Sequence, residues 1–103
     1  MKRNYLRAIP KDWRTMAKVF FALGDEHRQR ILLVFEKGER LTVGQIAEVA
    51  TLSRPAVSHH LKILRNAGVL VAERVGREVF LRVNRPMLEE TLTAVLEYVR
   101  SEA

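Results

Sequence analysis

The sequence predicts a mainly α-helical domain with one β-hairpin, in the order α-α-α-α-β-β-α. Three observations predict it. Apolar residues recur at helical spacing in five separate stretches, and two β-rich runs flank Gly76-Arg77. The third is Ser53-Arg54-Pro55, the strongest helix start in the chain.

Residues 1–10 read as a loose basic arm, and residues 11–103 as one domain. Lys11–Leu23 reads as a helix, with Trp13, Met16, Ala17, Phe20 and Phe21 recurring at its period. Gly24 ends it, and Asp25 caps the next. That second helix is expected over Glu26–Glu36, carrying Ile31, Leu32, Val34 and Phe35, with Lys37-Gly38-Glu39 as its stop. Thr42 with Gln45 three residues later forms a capping-box signature. It opens a third helix, Val43–Val49, which buries Ile46, Ala47 and the following Ala50. Ala50–Leu52 is a short turn. The fourth helix runs Arg54–Ala67. Pro55 lies in its first turn, where a missing N–H costs nothing, and Gly68 follows as a natural stop. Val57, Leu61 and Leu64 mark its buried face. Val69–Val75 and Glu78–Val83 are the hairpin strands. Asn84 and Pro86 open a last helix, Met87–Ser101, with Leu88, Leu92, Val95 and Val99 in one stripe and Thr91 and Tyr98 beside it.

Composition closes several classes. Of the 103 residues, 48% are hydrophobic, enough for a core, and none is cysteine, so disulfides and thiolate metal sites are excluded. The longest apolar runs, Val19–Leu23 and Ile31–Phe35, are five residues each, too short for a membrane span or a signal-peptide core. The chain is therefore expected to be cytoplasmic, with no membrane contact. Net charge is +6, unevenly spread. Residues 1–18 carry six Lys/Arg and one acid, and residues 54–85 carry seven and two. Residues 19–53 carry four and five, and residues 86–103 carry one and four. Two basic blocks around a neutral middle attract phosphate backbones through counterion release.

The third and fourth helices meet the requirements of a helix-turn-helix, placed at residues 42–67. Ala47 is the small residue where the backbones approach. Ile46, Leu52, Val57, Leu61 and Leu64 pin the second helix from behind. Its free face then offers Arg54, Ser58, His59, Lys62 and Arg65, the polar set that a major groove requires. Ser53 and Arg54 stand at its N-terminus, which itself attracts phosphate. The hairpin, residues 69–83, places Arg74 and Arg77 on a projecting ribbon that can reach phosphates or a minor groove. The whole is a winged helix-turn-helix, mainly α with a β-hairpin wing.

These residues resemble the arsenical-resistance-repressor (ArsR/SmtB) family. Phe21-Ala22-Leu23-Gly24-Asp25-Glu26-His27-Arg28-Gln29-Arg30-Ile31-Leu32 is similar to its opening signature. Ser53-Arg54-Pro55-Ala56-Val57-Ser58-His59-His60-Leu61-Lys62-Ile63-Leu64-Arg65-Asn66-Ala67-Gly68-Val69-Leu70 is similar to its recognition helix, and Gly76-Arg77-Glu78-Val79-Phe80 to its wing. The resemblance covers residues 16–84. It implies a cytoplasmic homodimer that binds a palindromic operator in double-stranded DNA and usually represses transcription. It also implies that Ser53, Arg54, Pro55, Ser58 and His59 face base edges or nearby phosphates, and that Lys62 and Arg77 face backbone. The departures lie in sensing. Leu41-Thr42-Val43-Gly44-Gln45 lacks the family's metal-binding cysteines, and Met87–Ser101 has Glu89, Glu90 and Glu97 but no histidine. The family's turn glycine is Thr51 here, where a left-handed backbone is expected to carry strain.

The remaining chemistry is sparse. His59 and His60 are adjacent and point to different helix faces, so they do not share a metal. His27 beside Asp25 and Glu26 reads as a charged helix start rather than a metal site. No catalytic constellation stands out, and no metal or cofactor is expected. A domain this small has little need to bury both terminal helices internally. Trp13, Met16, Phe20, Leu88, Leu92, Val95 and Val99 are therefore expected at a two-fold interface between the helices at 11–23 and 87–101, with the acidic tail away from DNA. Three readings remain: a dimeric DNA-binding regulator, a winged-helix module for protein or non-specific nucleic acid, and an oxygen- or mixed-ligand metal sensor. The sequence names no effector.

Overall fold

A computed structural model describes all residues, 1–103. Five helices and a small sheet follow one another: α1 (Lys11–Leu23), α2 (Glu26–Leu32), β1 (Arg40–Leu41), α3 (Val43–Val49), α4 (Arg54–Asn66), β2 (Leu70–Val75), β3 (Glu78–Val83) and α5 (Arg85–Glu102). Residues 1–10 are exposed and form no regular element. No helix is long and apolar enough to cross a membrane.

Local chemistry sets the helix ends. The Asp25 carboxylate accepts from the N–H groups of His27 (2.8 Å) and Arg28 (3.1 Å), which starts α2. At α3 the capping box closes in both directions. Gln45 N–H donates to Thr42 Oγ1 (3.1 Å), and Thr42 N–H donates to Gln45 Oε1 (2.9 Å). Ser53 Oγ accepts from Ala56 N–H at 3.3 Å to open α4. That helix ends in a Schellman pair: Val69 N–H reaches Leu64 O and Gly68 N–H reaches Arg65 O, both at 2.9 Å. Gly68 lies at φ +79°, a conformation that a Cβ disfavours, and Leu64 and Val69 are both fully buried beside it.

Three expectations are corrected. The second helix stops at Leu32, not Glu36. Val34 N–H bonds to Ile31 O and Phe35 N–H to Leu32 O, one residue closer than α-helical pairing. That tightened turn sets Phe35 against the core and leaves Leu33 exposed. The last helix begins at Arg85, two residues before Met87. Thr51 is not left-handed, because every positive φ in the chain belongs to a glycine. The turn is made instead by extended backbone at Ala50 (φ −72°, ψ 149°) and Ser53 (φ −62°, ψ 155°), with no strain to offset.

The sheet holds a strand that the sequence did not signal. β1 pairs antiparallel with β3, which pairs with β2, giving the order β1-β3-β2. Leu70 lies opposite Val83, Ala72 opposite Leu81 and Arg74 opposite Val79, so these side chains share one face. Leu70 and Leu81 anchor that face in the core, with Val19 and Ala22 of α1, Ile31 of α2, Ile46 of α3 and Val57, Leu61 and Leu64 of α4. Each buried aliphatic side chain contributes about 1.5–3 kcal/mol, so this cluster is what fixes α4 and the hairpin relative to one another.

Candidate nucleic-acid interface

Helix α4 is divided along its length. Val57, Leu61 and Leu64 are buried, while Ser53, Arg54, Pro55, Ser58, His59, Lys62 and Arg65 are exposed. Beside it runs a groove of about 750 Å³, floored by Leu81 and Ala72 of the sheet and walled by Ser58, Lys62, Arg65 and Asn66 of α4. Arg74 continues the Leu70–Ala72 face along β2, so it extends the groove's own wall outward. Arg77 sits at the hairpin tip beside Gly76, whose φ of +62° makes the tight turn. The structure thus brings α4 and the wing to one concave side.

The electrostatics of that side are unopposed. Arg54, Lys62, Arg65, Arg74 and Arg77 form no ion pair. On the opposite face of the sheet, by contrast, Glu73 lies between Arg40 (3.7 Å) and Arg82 (3.9 Å), and the Arg40 guanidinium stacks 4.5 Å above the Phe80 ring. Cations without carboxylate partners are free to neutralise phosphate. Ser53 has a double part: its oxygen is engaged in the cap, and its hydroxyl proton is left to donate outward. The Arg54 guanidinium rests against the first turn of α3, about 4.0 Å from where a Cβ on Gly44 would stand.

Sequence reasoning missed the groups behind α4. Arg28, which reads as a surface residue of a charged helix, is only 6% exposed. Its Nε donates to Ala22 O (2.7 Å) and its Nη2 to Phe21 O (2.9 Å), closing the carbonyls at the end of α1. Its Nη1 lies 3.2 Å from Nδ1 of His60, which is half-buried on α4. Burial holds the His60 pKa below the ordinary histidine value; the Asp25 carboxylate opposes this, and Arg28, His59 and His27 add to it. The hydrogen bond from Arg28 N–H is the main cause of a lowered Asp25 pKa. Asp25 is committed to capping α2, and nowhere do three His, Asp or Glu side chains converge as a metal site.

The terminal helices carry a second surface. Trp13 meets Tyr98 edge-on with ring centroids 4.9 Å apart, joining α1 to α5. Trp13, Phe20, Leu92 and Val99 are each 40–50% exposed, and so is Leu96, which the sequence reading passed over. Met16 and Leu88 are placed differently from their expected interface position. Met16 is buried within the chain at 7% exposure, and Leu88 packs on the chain's own core. Val95 is half-buried. The reason is geometric: α5 turns one side to α1 and the core, so its outward stripe runs through 92, 96 and 99.

Comparison with known proteins agrees with this geometry. Residues 25–71 match the family described as "Bacterial regulatory protein, arsR family". The chain is 34% identical over 84 residues to the transcriptional repressor SdpR of Bacillus subtilis, covering 82% of this chain and 92% of that one. It is 35% identical over 81 residues to the arsenic resistance transcriptional regulator ArsR1 of Pseudomonas putida, covering 79% and 62%. Among solved structures, an ArsR-like transcriptional regulator from Rhodococcus sp. RHA1 superposes with a TM-score of 0.78 at 31% identity, covering 87% and 83%.

Proposed function

Because the chain belongs to the ArsR family of bacterial regulatory proteins, we propose that it is a homodimeric repressor that binds a palindromic operator. Its role as a helix-turn-helix transcriptional regulator, rather than an enzyme, follows from that membership. The observation that carries the finer reading is the unpaired cation set on the groove side of α4 and the wing. In this reading α4 enters the major groove. Ser53, Arg54, Pro55, Ser58 and His59 meet base edges and adjacent phosphates, and Lys62, Arg65, Arg74 and Arg77 bind backbone.

The exposed apolar stripe on α1 and α5 supports the dimer. A two-fold contact through Trp13, Phe20, Leu92, Leu96 and Val99 buries side chains that a lone protomer leaves in water. It also sets two reading helices about one DNA turn apart, roughly 34–36 Å. The acidic residues of α5 then lie away from the phosphates.

Selection of bound sequences from a random duplex pool tests this directly. An inverted repeat with half-sites about 10 base pairs apart is the expected result. An unselected pool, bound with uniform affinity, would sink the specificity claim and leave a non-specific nucleic-acid module. His59→Ala should then relax base preference at one position of each half-site.

A further inference from the structure

Behind α4, on the side turned away from the groove, His60 meets a buried arginine that is already anchored to the end of α1. Arg28 Nε and Nη2 hold the Ala22 and Phe21 carbonyls, and Nη1 stands 3.2 Å from His60 Nδ1. An arginine side chain stays protonated and has only donors. That contact is therefore a hydrogen bond only while Nδ1 carries no proton, which assigns the neutral ring with its proton on Nε2. One guanidinium thus joins the end of α1, the start of α2 and the middle of α4.

We propose that His60 is a proton-operated latch on the reading helix. Neutral, it ties α4 to the α1–α2 corner through Arg28; protonated, it faces Arg28 with like charge, loosens that tie and weakens operator binding. The inference rests on the reading that α4 contacts DNA. The charged and titratable groups around the ring come from two elements and a cap. α2 contributes Arg28 and His27, the latter with ring centroids 5.6 Å away, and its cap Asp25 supplies a carboxylate. α4 itself contributes His59 at 5.5 Å, and α1 acts through the two carbonyls that Arg28 binds. Asp25 favours the charged ring, whereas burial and the three other groups disfavour it.

The sign follows. The folded protein holds His60 below its ordinary pKa of 6.5, so the latch is complete above that value. It is lost as pH falls through the lowered folded value. A simple pH profile of binding reads every titrating group at once, not His60 alone.

Nuclear magnetic resonance of the wild-type protein isolates His60. Its ring carbon shifts are followed against pH, free and bound to the best duplex from the selection. By linkage, a proton that weakens binding must bind less well in the complex. The His60 pKa should fall on DNA binding; a His60 pKa that stays unchanged or rises overturns the latch. His60→Asn supplies a second reading, since its side-chain oxygen can accept from Arg28 and does not titrate. The ratio of wild-type Kd to His60→Asn Kd should grow as pH falls through the His60 midpoint of the free protein, by about twofold at that midpoint if the complex excludes the proton. A ratio that stays constant across that midpoint refutes the proposal. Should no duplex be selected, the operator reading fails by itself, and the free protein still tests the contact. The Arg28 Nε–H resonance must shift with the His60 midpoint, and a shift with any other midpoint, or none, overturns it.

Discussion

Removing one unpaired cation should lower the salt dependence of DNA binding by a fixed amount, and removing a paired one should not. Arg54, Lys62, Arg65, Arg74 and Arg77 lie on the groove side of α4 and the wing without carboxylate partners, and a dimer doubles the set. Each phosphate neutralised adds about −0.9 to the slope of log K against log salt concentration. Ten contacts set an upper bound near −9, and Lys62→Ala, which deletes one from each protomer, should reduce the slope by about 1.8. Arg40→Ala is the control. Arg40 carries the same charge, but it lies on the opposite face of the sheet, within 3.7 Å of Glu73 and stacked on Phe80. Its loss should leave the slope unchanged within error. Fluorescence anisotropy with a labelled duplex, from about 50 to 300 mM salt, measures both. Equal slope changes for the two variants would refute the reasoning, because they would make net charge, not the groove, the determinant. An unchanged slope in Lys62→Ala would remove α4 from the phosphate contacts altogether.

Other consequences are structural. Leu96→Glu places a charge in the exposed α1–α5 stripe and should give a folded monomer by analytical ultracentrifugation, with operator binding lost. A dimer that survives this change would move the interface elsewhere. Ser53→Ala deletes the Oγ that accepts from Ala56 N–H and should cost about 1 kcal/mol, or about 4–8 °C of melting temperature. Gly68→Ala forces a Cβ into φ +79° and to within 3.4 Å of Met87 Cε. A loss of about 1–2 kcal/mol in urea unfolding is expected. Asp25 has a lowered folded pKa, so its contribution is present above 3.8 and is lost as pH falls through the folded value. Asp25→Asn should flatten the acid side of the stability profile below about pH 4, and an unchanged profile would show that the charge contributes nothing to the cap.

The caps explain what could be read from the residues alone. Thr42 with Gln45, Ser53 with Pro55 and Gly68 are local chemistry, and they set the bounds of α3 and the start and stop of α4. The groove side of α4 was equally legible, since alternating Val57, Leu61 and Leu64 leave only one way for Lys62 and Arg65 to point. What escaped depends on partners distant in the chain. β1 is two residues long, and only the free edge of β3 makes it a strand. Val34 and Phe35 continue the helical period of α2, yet tighten out of it because the core takes Phe35. Arg28 sits in a run of charged residues, and nothing local distinguishes the one whose guanidinium is buried across α1 and α4.

That buried arginine bears on how the proposed dimer would hold its two reading helices. Phe20 of α1 points out to the apolar stripe, while Val19 and Ala22 point into the cluster with Val57, Leu61 and Leu64 of α4. Arg28 then adds polar ties from the same end of α1 to His60. A close-packed core deforms little, so the dimer face and the reading helix move as one body. Spacing between half-sites is then set by α1, not by a hinge. Inserting one base pair at the centre of the selected operator displaces one half-site by about 3.4 Å and turns it by about a tenth of a helical turn. A rigid link absorbs neither, and such an insertion should cost much of the specific affinity in anisotropy measurements. Full affinity for both spacings would mean that α1 and α4 slide past one another, and that the Arg28 ties are too weak to hold the reading helix in place.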